Sequence, residues 1–113
     1  MQDPLAMLLG LEGVRGVLLF RAGGEVLFHR FRVSLNGGTT ADWFGLALAL
    51  GNTREAEMLF ERGRVYLFRS PRAVLLVLTG VVAPSAVIRM SSAILLAEVD
   101  PGPGEPGGGR RRP

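Results

Sequence analysis

Two stretches of the chain read as continuous apolar strands, Gly16 to Arg21 nearly so and Ala73 to Thr79. Unbroken short apolar runs mark strands buried on both faces, so these two are expected side by side at the centre of a sheet. Ahead of the first, Asp3 and Pro4 suit the N-cap and first position of a short helix, with Leu5, Leu8 and Leu9 along one side. Ala22-Gly23-Gly24 predicts a tight turn into a second strand over Glu25 to Arg32, rich in Val26, Phe28 and Phe31. After a polar loop over Ser34 to Gly38, Thr39 or Thr40 is placed to cap a helix running to about Gly51. Arg54 to Glu61 alternates, with Ala56, Met58 and Phe60 on one face. The Arg62-Gly63 pair then predicts a two-residue turn into a strand over Arg64 to Ser70, setting Phe60 opposite Val65 and Met58 opposite Leu67. Ser85, or the turn at Pro84, opens a last helix that stops at Asp100-Pro101.

The middle helix stands out. Trp43, Phe44, Leu46, Ala47, Leu48 and Leu50, placed at about 100° per residue, cover well over half of its circumference. A helix apolar nearly all round must be covered on two sides. One side is therefore expected on its own sheet and the other against a second copy of the chain.

Composition supports that reading. A chain of 113 residues fits one domain, and with 48% hydrophobic residues it has more apolar surface than so small a domain hides, which favours self-association. The net charge is only +3, and residues 1 to 100 hold ten Arg against nine Asp or Glu. Without a basic face to neutralise phosphates, specific nucleic-acid binding is not expected. There is no cysteine, so disulfides, thiolate metal sites and cysteine nucleophiles are excluded and the cytoplasm is the simplest location.

Catalysis finds no foothold either. His29 is the only histidine and lacks the partners of a metal site or a triad; it reads as an ordinary strand residue. Gly23-Gly24 lacks the Lys and Ser or Thr of a phosphate loop, and Glu55, Glu57 and Glu61 read as edge-strand charges that discourage aggregation. No catalytic residue, cofactor or metal is expected. Asp3 stands where a secretory signal would be basic, and the longest uncharged apolar run, Ala73 to Ile88, is interrupted by Gly80 and Pro84, which argues against a membrane span. Residues 1–100 are expected to form the domain. The Gly-, Pro- and Arg-rich residues 101–113 have no apolar side chain to offset ordering entropy and are expected to be disordered.

The segment Leu8-Leu9-Gly10-Leu11-Glu12-Gly13-Val14-Arg15-Gly16-Val17-Leu18-Leu19-Phe20, the turn Gly23-Gly24-Glu25-Val26 and the apolar strand Ala73 to Thr79, in that order, resemble the roadblock family, which includes dynein light-chain roadblock and bacterial MglB-type proteins. The resemblance spans about residues 3 to 98. It implies an α+β fold in the order α-β-β-α-β-β-β-α, a five-stranded antiparallel sheet with the middle helix on one face and the two terminal helices on the other. It also implies a homodimer formed through the middle helix and the strand from Arg54, giving Trp43, Phe44, Ala47, Leu50, Glu57 and Leu59 as candidate dimer or partner interface residues. By the same resemblance, the dimer would be a non-catalytic platform that binds and regulates a small Ras-like GTPase, with activation of hydrolysis one form of that regulation. A scaffold or ligand-sensing module without a GTPase partner is the alternative.

Overall fold

The computed structural model describes residues 3–31, 40–60 and 63–99. The tail expected to be disordered, residues 101–113, lies outside the described residues, as does the loop expected over Ser34 to Gly38.

Helix α1 (Pro4–Gly10) begins as its sequence dictates. The Asp3 carboxylate accepts a hydrogen bond from the Leu5 amide at 3.0 Å, and Pro4 occupies the first turn, where its missing N–H costs nothing. Strand β1 (Val14–Arg21) then runs into a turn closed by the Gly24 amide on the Arg21 carbonyl, and β2 (Val26–Phe31) returns beside it. Helix α2 (Thr40–Ala49), strands β3 (Glu55–Phe60), β4 (Gly63–Arg69) and β5 (Ala73–Thr79), and helix α3 (Ser85–Val99) complete the chain.

The five strands form one antiparallel sheet in the order β2-β1-β5-β4-β3. This is the expected α+β order, and the two unbroken apolar runs are indeed neighbours: Val17 pairs with Val77, Leu18 with Leu76 and Leu19 with Leu75. Alternation along these strands feeds two cores. Val17, Leu19, Leu75 and Val77 face α1 and α3, meeting Leu8, Ile88, Leu95 and Leu96. Leu18, Phe20, Val74, Leu76 and Leu78 point the other way, toward Trp43, Phe44, Ala47 and Leu50 of α2 and the residue after it. The sheet is thus covered by two helices on one face and one on the other.

The hairpin between β3 and β4 differs from the sequence expectation. Phe60 pairs with Gly63, Met58 with Val65 and Ala56 with Leu67, a register two residues away from the one expected. Because side chains alternate with a period of two, the faces are unchanged, and Ala56 and Met58 still join the α2-side core. Gly63 is a strand residue instead of a turn residue. Its role is close approach: a Cβ there would lie 2.2 Å from the carbonyl oxygen of Thr79 on β5.

That contact makes a sharp prediction. Gly63→Ala forces the β4 and β5 backbones apart and is expected to cost about 2–3 kcal/mol, measurable by chemical denaturation. An unchanged midpoint would show that the β4–β5 approach has slack.

Candidate partner interface

On the α2 side, ten helical residues must cover a five-stranded sheet. Strands about 4.8 Å apart make such a sheet roughly 19 Å wide, whereas a helix with its side chains spans only about 10–12 Å. Among the described residues α2 is the one helix in this core, and Phe60 of β3, on the same side as Ala56 and Met58, stays exposed.

Phe44 anchors one part of α2. Its ring lies 5.3 Å from that of Phe20, tilted by 53°, in the range where aromatic pairs add to simple burial. Gly24 in the β1–β2 turn makes room: with φ at +106° it holds a conformation that favours glycine, and a Cβ there would sit 3.1 Å from the Phe44 ring.

Arg69 of β4 anchors the other end. Its guanidinium donates from Nη2 to the Ala47 carbonyl at 2.6 Å and from Nε to the Thr53 carbonyl at 2.9 Å. A positive charge on the last carbonyls of a helix satisfies acceptors the helix cannot and opposes the negative end of its dipole. Arg69 therefore clamps α2 and the start of β3 to the sheet.

The six residues expected at an interface fall into two groups. Ala47 is fully buried under its own helix, with 0% of its surface exposed, and Trp43, Phe44 and Leu50 pack half-buried on the same core. Much of the apolar arc read from the sequence is therefore used within one chain, because the side chains of Phe20, Leu67 and Leu76 are long enough to meet it. Glu57 and Leu59 lie instead on β3, at the sheet edge. Glu57 accepts a hydrogen bond from Arg64 Nη1 at 2.9 Å, and its neighbour Glu55 is held by Arg89 of α3. Arg89 is raised above its ordinary pKa chiefly by that bond to Glu55; Arg64 is raised by Tyr66 first and by Glu57.

What remains open is apolar. Leu48 on the outer side of α2 is 59% exposed, Leu59 is 72% exposed and Phe60 is 51% exposed. The edge of β3 carries no neighbouring strand among the described residues. Sequence reasoning chose Leu59, but left Leu48 and Phe60 out of the interface, although both belonged to apolar patterns it recognised. It missed Arg69 altogether, since the residue reaches a helix end 22 positions away. His29 lies exposed on edge strand β2, and among the described residues no group of His, Asp and Glu is placed to hold a metal ion. No helix among them is long and apolar enough to cross a membrane.

No protein-family model matches the chain, and neither does any curated protein sequence. Solved structures do. A Roadblock/LC7 domain from Streptomyces avermitilis superposes with a TM-score of 0.69 at 18% identity, over 86% of this chain and 91% of that one. The chain has the roadblock fold. An MglB with a tetrameric arrangement matches with a TM-score of 0.64 at 21% identity, over 85% of this chain and 82% of that one. The gliding protein MglB of Thermus thermophilus matches with 0.58 at 21%, over 81% and 79%. In each case the roadblock fold is shared across most of both chains while the side chains have largely diverged, so the surface of this chain must be read from its own residues.

The Arg69 clamp can be tested on its own. Arg69→Met keeps the aliphatic stem and removes the charged donors, and it is expected to lower stability by about 1.5–3 kcal/mol, with near-ultraviolet circular dichroism reporting looser packing around Trp43. A loss within about 0.5 kcal/mol, as for an ordinary surface change, would mean that water replaces the guanidinium at the helix end.

Proposed function

We propose that two copies of this roadblock-fold chain associate through α2 and the edge of β3, and that the dimer is a non-catalytic cytoplasmic platform that binds and regulates a small Ras-like GTPase. The observation that carries the proposal is the edge of β3, which has no neighbouring strand among the described residues and leaves Phe60 exposed on the α2 side of the sheet and Leu59 on the opposite side. An open edge with exposed apolar side chains can pair with another chain, and a symmetric dimer would bring the same edge from both copies together. Glu55 and Glu57 lie on the same face as Leu59, with their charges held by Arg89 and Arg64.

The GTPase partner follows from the resemblance carried by the Leu8 to Phe20 segment and the central strands. It is supported by the likeness in fold to MglB structures. A platform of this kind regulates by binding one nucleotide state of its partner better than the other, and so shifting their populations. No arginine of this chain has to enter the partner's active site for that.

The test is to mix the native protein with Ras-like GTPases loaded with GDP or with a non-hydrolysable GTP analogue. We expect one nucleotide state to bind about tenfold or more tightly than the other, a coupling of about 1.4 kcal/mol, with a parallel change in the partner's hydrolysis rate if the platform activates it. Equal indifference to both states across such GTPases would favour the scaffold reading.

A further inference from the structure

The end of the sheet where α2 terminates is built differently from the exposed apolar end of β3. There, Asn52, Arg54, Arg69, Ser70 and Pro71 enclose an open cleft of about 220 Å³. No carboxylate lines it. Two of its five residues are arginines, and neither is paired with an acid among the described residues.

The two arginines differ in freedom. Arg69 spends Nε and Nη2 on the carbonyls of Thr53 and Ala47, which fixes its position and leaves Nη1 uncommitted. The backbone carbonyl of Arg54 accepts from the Arg69 amide at 2.8 Å, so the two residues are direct neighbours across the β3–β4 edge. The Arg54 side chain itself is exposed, with no ion pair or hydrogen bond among the described residues. The C-terminus of a helix would ordinarily repel an anion. Here the Arg69 guanidinium lies on one of the terminal carbonyls, that of Ala47, and sets a positive charge against the negative end of the helix.

We infer that this cleft is a binding site for a phosphate-type oxyanion. Guanidinium groups match the geometry of phosphate oxygens and form charge-assisted, bidentate hydrogen bonds with them. The Arg54 guanidinium supplies the mobile half of the grip and Arg69 the fixed half. The Asn52 side-chain amide supplies a further donor. The volume admits inorganic phosphate or the phosphate of a small monoester, and the chemistry that recognises either is the same.

The experiment is a titration of the full chain followed by amide nuclear magnetic resonance, at constant ionic strength. Inorganic phosphate and ribose 5-phosphate are the probes, with sodium chloride as the control. Saturable shifts are expected at the Asn52 and Ser70 amides, absent with chloride. Tighter binding of ribose 5-phosphate identifies a monoester, and equal binding identifies phosphate itself. Arg54→Ala should weaken either by about tenfold or more, the loss of one charge-assisted contact, while amides of the central strands stay where they are and report an intact fold. Shifts that chloride reproduces, shifts that persist at full strength in Arg54→Ala, or no saturable shift at all would each overturn the assignment.

Discussion

The pairing of β1 with β5 governs the architecture. Both strands are largely buried on both faces, with every residue of β5 buried, and such a pair is stable only when apolar material covers it from above and below. Among the described residues three helices do this: α1 and α3 lie on one face, where they pack on each other, and α2 lies on the other.

The consequences follow strand by strand. Over β1 and β5 the single helix is adequate, because Phe20, Leu18 and Leu76 rise to meet Trp43, Phe44 and Ala47. Farther out, on β3, Ala56 and Met58 are partly sheltered, whereas Phe60 on the same side is exposed, and Leu59 is exposed on the opposite side. Arg69 ties the end of the helix to β4 through the Ala47 carbonyl, and the same arginine lines the cleft at that end of the sheet.

Much of this was legible in the sequence where a residue's own pattern decides its place. Strand β5 occupies Ala73–Thr79 as expected, because an unbroken apolar run between Pro71-Arg72 and Gly80 leaves no other choice. The Asp3 cap and the final helix were equally local. Legibility failed where the deciding neighbour is distant in the chain. Arg62-Gly63 has the composition of a turn, yet Gly63 is required by the Thr79 carbonyl pressing on it from β5. The arc of apolar residues on α2 was visible, but how much of it one chain covers depends on the reach of Phe20 and Leu67 from other strands. Of the candidate interface residues on α2, Ala47 is buried and Trp43 and Phe44 are half-buried on the core of their own chain, while Leu59 on the edge strand is exposed.

Self-association at this unfinished edge is the claim on which the functional account rests, and the solution mass tests it most directly. Light scattering over a range of concentrations should give twice the mass of the chain for the native protein. Leu59→Glu, which places a charge on the open β3 edge, should give the mass of one chain with an unchanged circular dichroism spectrum. A native protein that remains a single chain at every concentration, or a Leu59→Glu variant that pairs as tightly as the native one, would contradict the account.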